Sequence, residues 1–209
     1  MGTGYQSYIW AEKEGLNYGC FTFVRDRDPA EIARLYGADP QTAQTLTADE
    51  RRTHPAYPDL VSWADLGEWT LLFEEERARG TDPVLLAGLT PGTEAVSVHT
   101  NVLAHYRFRY TVDGRTVTYF DALSPYARHG TEPDRFVAPM QRIGLDPDVQ
   151  PDLDDCDDDP EYVEYALPML LALAEHVTGI RLNPETLGTA PTAVTALPTV
   201  PQLAADGPE

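Results

Sequence analysis

Residues 94–123 read EAVSVHTNVLAHYRFRYTVDGRTVTYFDAL, and the Asp113-Gly114 pair within them constrains the fold more than any other feature. A tight two-residue hairpin turn needs positive φ at both positions, which Asp and Gly tolerate far better than β-branched residues do. On one side of the pair Tyr106, Phe108 and Tyr110 alternate with Arg107, Arg109 and Thr111, the period of a strand with one apolar face and one wet face. Strands joined by so short a turn pair antiparallel.

A second hairpin is predicted where LVSWADLG and EWTLLFEEE meet at Gly67, and YGCFTFV (Tyr18 to Val24) reads as a further, buried strand. Helix signals separate these runs. Asp28 precedes Pro29 and Glu31 at the start of PAEIARLYG, with Gly37 placed to close it; Asp82 and Pro83 repeat the pattern before a brief apolar helix ending near Gly88. Residues 38–59 read as a loop with one helical turn near Thr47 to Arg51. After Glu132 the pattern turns helical in PDRFVAPMQRIGL and in DPEYVEYALPMLLALAEHVTG, where Asp159 and Pro160 start a helix, Pro168 should kink or split it and Gly179 can end it. Asn183 opens one more capped turn in NPETL. Hairpins interspersed with helices, without strict alternation, predict an α+β fold: one domain over residues 1–187, its mainly antiparallel sheet covered on one face by helices. Residues 188–209, rich in Pro, Ala and Thr, are expected to form a flexible tail.

The 34 acidic residues outnumber the 15 basic ones, a formal net charge of -19 that opposes adhesion to nucleic acid or to anionic lipid. No segment approaches the roughly 20 apolar residues that span a bilayer, and the start, MGTGYQSYIWAEKEG, lacks the pattern of a secretory signal. A cytoplasmic protein is therefore expected. Lys13 is the only lysine, which with the Ala, Pro and Thr bias suggests a GC-rich, actinobacterium-like source. Cys20 and Cys156 fit neither a disulfide framework nor a tetrahedral metal site, and neither a metal nor a cofactor is expected.

The chain resembles an uncharacterised, mainly actinobacterial family, domain of unknown function 6461. The resemblance runs over roughly residues 8–187 and rests on YGCFTFVRDRDPAEIARLYGADP, GEWTLLFEEE, the run from Glu94 to Ala122, and LALAEHVTGIRL. Glu68 separates Gly67 from Trp69 where the family pattern has an adjacent Gly-Trp, whereas the spacing from Trp69 to Glu74 is kept. Asp113, Gly114 and Phe120 match the family hairpin. The resemblance implies a fold and carries no activity.

Among candidate functional residues, the triplet Glu74, Glu75 and Glu76 is divided by strand parity, which sends Glu75 to the Trp69 side and leaves Glu74 and Glu76 on the Leu72 side. Glu74, the member that matches the family motif, could brace a loop, cap a helix or ligate a metal. His99 and His105 would share a face with Asn101 only if the strand were unbroken; a turn near Asn101 to Ala104 would destroy that alignment. Around Asp152, Asp154, Asp155, Asp157, Asp158 and Asp159 the offsets do not suit a calcium loop, since Pro160 and Ala166 occupy its sixth and twelfth positions. That segment reads as a solvated linker or an acidic docking surface. Phosphate-loop and nucleophile-elbow patterns are absent. The expected function is that of a non-enzymatic acidic protein binding a basic protein partner, such as a toxin-neutralising immunity protein or conflict-system accessory. The alternative is a small-molecule-binding domain or hydrolase-like enzyme with a pocket near Glu74, His99 and His105.

Overall fold

The computed structural model of the chain describes residues 4–13, 16, 18–148 and 165–195. After a 3-10 turn at Tyr5–Tyr8 the elements run α1 (Trp10–Lys13), β1 (Gly19–Arg25), α2 (Pro29–Leu35), β2 (Gln44–Thr45), α3 (Ala48–Thr53), β3 (Leu60–Asp65) and β4 (Trp69–Glu75). A 3-10 turn at Arg79–Thr81 leads to α4 (Pro83–Leu89), β5 (Glu94–Thr100), β6 (Tyr106–Val112) and β7 (Arg115–Asp121). Then come α5 (Val137–Ile143), α6 (Ala166–Thr178), α7 (Pro184–Gly188) and β8 (Pro191–Val194).

All eight strands form one antiparallel sheet in the order β2-β8-β3-β4-β1-β5-β6-β7, which with the helices makes a single α+β domain. The two hairpins stand where their turn residues predict them. Gly67 (φ 84°) lies between β3 and β4, and Asp113 (φ 48°) with Gly114 (φ 74°) joins β6 to β7. Capping is local as well. The carboxylate of Asp28 accepts from Glu31 N and that of Asp82 from Val84 N, while Thr47 and Glu50 form a reciprocal capping box on α3.

The fold goes beyond expectation in two places. Helices cover the second face of the sheet as well as the first, because both are apolar at its centre. Phe21, Phe23, Leu71, Phe73, Val96, Val98 and Phe108 face α6 and its neighbours, whereas Val24, Val61, Trp63, Leu72 and Ala95 are covered by Ile32, Ala33, Leu86 and Leu89 of α2 and α4. Strand-by-strand parity shows that each strand has two faces, but not how much of the second is covered. Also, residues 191–194, expected in a flexible tail, form β8 and pair with β3 and β2. The alternation in this short run is too brief to register as a strand signal; the open edge of β3 supplies its hydrogen bonds.

Within α6, Pro168 stands in the first turn, where its missing N–H costs no helical hydrogen bond, and the described helix continues unbroken to Thr178. The expected start at Asp159 and Pro160 lies outside the described residues. Leu167, Leu170, Leu171 and Leu173 are buried around this helix. Its far end is tied down at Glu175, which accepts from Tyr8 Oη (2.8 Å) and Arg181 Nε (3.0 Å).

Candidate functional site

On the α2/α4 face the strand registers build a lateral row. Glu74 of β4 is opposite Cys20 of β1, Cys20 is opposite His99 of β5, His99 is opposite Arg107 of β6, and Arg107 is opposite Asp121 of β7. Directly paired residues point to the same face. Glu74 and His99 therefore share a face, but the whole width of β1 stands between them, roughly 10 Å for two strand spacings.

The Glu74 end is closed. Glu74 is 1% exposed, and its Oε2 accepts from Gly80 N at 3.1 Å while Arg79 Nε stands 3.8 Å from Oε1. This holds the Arg79–Thr81 turn down on the sheet. The closure over the row is tight enough that a Cβ at Gly80 would overlap Thr22 Oγ1 and come within 2.8 Å of Cys20 Sγ and 2.9 Å of Tyr36 Oη. Burial, only partly offset by the Gly80 hydrogen bond and Arg79, raises the Glu74 carboxyl from its ordinary 4.5 to about 7. Burial and the adjacent Glu74 push the Cys20 thiol up to about 12. Cys20 therefore stays a protonated core thiol, sharing contacts with Ser97 Oγ (3.4 Å) and Thr22 Oγ1 (3.6 Å). Glu74 braces a loop, and nothing soluble reaches it.

The other end is partly open. His99 is 5% exposed, its Nδ1 has no hydrogen-bond partner among the described residues, and burial followed by the nearby Arg107 lowers its pKa to about 4. His105 does not join it, since β5 ends at Thr100 and β6 begins at Tyr106. In the turn between them His105 Nδ1 lies 3.1 Å from Asn101 Nδ2 and 3.3 Å from Arg107 Nη2. Glu74, His99 and His105 thus do not converge on one cavity. What the row adds, and the sequence motifs did not single out as a site, is the pair Arg107 and Arg109 beside His99 and Ser97; their alternation with the buried aromatics was the visible signal.

The remaining members of the glutamate triplet separate too. Glu75 lies on the Phe73 side, where Arg51 Nε donates to its Oε1 at 2.8 Å and Arg52 Nε stands 3.5 Å from Oε2. Glu76 leaves the strand with φ 55°, so its position follows the turn and not the parity of β4.

At the opposite end of the sheet, carboxylates gather around Arg25. Asp26, Glu68 and Glu94 lie 3.5, 3.0 and 2.9 Å from its guanidinium. Asp26, Glu94 and Asp113 line an open cleft of about 300 Å³ with Arg25 and Gly92. Glu94 also borders a cleft of about 450 Å³ with Tyr110, Arg135, Phe136 and His176, and it accepts a hydrogen bond from Tyr110 Oη. Asp26, Glu68, Glu94 and Asp113 against Arg25 and, on the far side of Glu94, Arg135 leave this rim net negative. The acidic run Asp152, Asp154, Asp155, Asp157, Asp158 and Asp159 lies outside the described residues, as does Cys156. Among the described residues no group of three or more His, Cys, Asp or Glu could hold a metal ion, and no helix is long and apolar enough to cross a membrane.

Fold and site together define a single-domain α+β protein with an eight-stranded antiparallel sheet, a polar row sealed at its Glu74 end and an acidic rim. The chain belongs to the family of unknown function DUF6461, whose model matches residues 1–202. No curated protein and no solved structure matches it.

Proposed function

We propose that the chain is a non-enzymatic cytoplasmic binding protein that docks a basic protein partner, in the manner of a toxin-neutralising immunity protein or conflict-system accessory. The observation that supports this reading best is the rim at Arg25, where Asp26, Glu68, Glu94 and Asp113 offer more negative charge than Arg25 and the neighbouring Arg135 balance. An incoming Arg or Lys side chain would find Glu94 already partly buried and held by Arg25 and Tyr110, with the exposed carboxylates of Asp26, Glu68 and Asp113 beside it. The net charge of -19 would steer a cationic partner from a distance and make the encounter salt-dependent.

The test is affinity capture from cells of the source organism, comparing the natural chain with D26N/E68Q/E94Q and with a variant neutralising the six aspartates from Asp152 to Asp159. A basic protein should be retained by the natural chain, lost by tenfold or more in at least one variant, and released by raised salt. Co-expression should then relieve whatever growth arrest that partner causes. Capture that ignores both sets of substitutions and ignores salt would refute electrostatic docking.

A further inference from the structure

We propose that the partly open β5–β6–β7 face is a binding site for a tetrahedral oxyanion, phosphate free or carried on a small molecule, gripped by Arg107 and Arg109 with His99 beside them. This goes beyond the docking reading and uses charge of the opposite sign at a different place on the fold.

In a chain so rich in carboxylates an arginine ordinarily finds one. Among the described residues neither Arg107 nor Arg109 has a carboxylate within ion-pair distance, although many of the other arginines do. Asp121, opposite Arg107 in the register, accepts from Tyr106 N and Leu123 N and acts on Arg107 only at longer range, and Asp82 caps α4 through Val84 N. Arg109 is nevertheless held in one geometry. Its guanidinium lies 4.4 Å from the centre of the Tyr119 ring, Nη1 donates to Thr116 Oγ1 at 2.8 Å, and Nε is buried with no partner. Leaving a buried N–H unsatisfied is costly, so the order of this side chain comes from Tyr119 and Thr116.

A second orphan stands next to it. His99 Nδ1 is buried and unpartnered on the same face, opposite Arg107 in the register, and Ser97 is opposite Arg109. Successive same-face residues on a strand are roughly 7 Å apart, and burial together with the neighbouring Arg107 lowers the Arg109 pKa, so the two guanidinium groups act on one another. A carboxylate is satisfied by one guanidinium fork, whereas a tetrahedral oxyanion projects oxygens toward both forks and a third donor, the His99 Nδ1–H tautomer. Among the described residues Arg107 Nη2 lies 3.3 Å from His105 Nδ1, a contact that an arriving anion can replace.

The experiment is an NMR titration of the full chain at constant ionic strength, with inorganic phosphate, with glycerol phosphate, and with chloride as reference. Amide signals of Ser97, His99, Arg107, Arg109 and Tyr119 and the arginine Nε–H signals are followed. Saturable shifts confined to this face are expected with at least one phosphate probe: inorganic phosphate alone points to the free ion, glycerol phosphate alone to a phosphorylated small molecule. R107Q and R109Q should each weaken the response tenfold or more, R109K less so, and R115Q, on the exposed part of β7, should leave it unchanged. D26N/E68Q/E94Q should not weaken it, which separates this site from the docking rim. Shifts no different from chloride, or equal in R109Q and the natural chain with both proteins folded, overturn the assignment.

Discussion

Replacing Glu74 by Gln should change the pH dependence of stability over a definite window. In the fold Glu74 titrates near 7 and in the unfolded chain near its ordinary 4.5, so between these values the folded state holds a proton that the unfolded state has released. A carboxyl raised in this way favours the fold fully below pH 4.5, and its contribution is lost as pH rises through 7. The 2.5-unit difference corresponds to about 3 kcal/mol. His99 acts in the opposite sense: its pKa is lowered from 6.5 to about 4, so its contribution is present above pH 6.5 and is lost as pH falls toward 4. From pH 4.5 to 6.5 the two slopes oppose one another and the natural chain should respond weakly on their account. The amide that E74Q introduces keeps a carbonyl to accept from Gly80 N but cannot ionise, and so unmasks His99. Urea unfolding followed by tryptophan fluorescence from about pH 4.5 to 8 measures this. Stability of E74Q relative to the natural chain should be near zero at about pH 4.5 and gain about 3 kcal/mol by about pH 7 to 8. A difference that does not change with pH would show that Glu74 is not held protonated by burial, and would refute the description of a closed Glu74 end.

Further substitutions test the packing that creates the row and its edge. Gly80→Ala should destabilise the fold by about 1–3 kcal/mol in the same unfolding assay, since the new methyl group collides with Thr22, Cys20 and Tyr36. Arg51 is buried and donates to Glu75 (2.8 Å), Leu46 O (3.0 Å) and Leu187 O (3.3 Å), so Arg51→Ala leaves the nearly buried Glu75 carboxylate with the longer Arg52 contact and should cost about 3 kcal/mol. Arg52, more exposed and 3.5 Å from the same carboxylate, should cost under about 1 kcal/mol when truncated to Ala.

Local chemistry carries far in this chain. Asp113-Gly114, Gly67, the Asp28 and Asp82 caps and the alternation around Phe108 are short-range devices, and each acts in the fold as its residue types predict. The parity of β4 likewise separates Glu74 from Glu75 before any tertiary contact is known. Other elements escaped because their cause lies far away in the sequence. β8 is a strand because β3 offers it an edge, and the second face of the sheet is covered because Leu72, Val24 and Trp63 meet helices from two separate parts of the chain.

An antiparallel α+β domain, its hairpins, its acidic character and the division of GEWTLLFEEE into separate roles are all readable from the order of the residues. Which roles those are depends on how distant segments meet. Strand order placed Cys20 between Glu74 and His99, the Arg79–Thr81 turn sealed Glu74, and the partly open half of the face left Arg107 and Arg109, among the described residues, without carboxylates within ion-pair distance. Side-chain parity is fixed within a few residues along the chain, whereas burial and pairing depend on which remote parts of the chain fold against them.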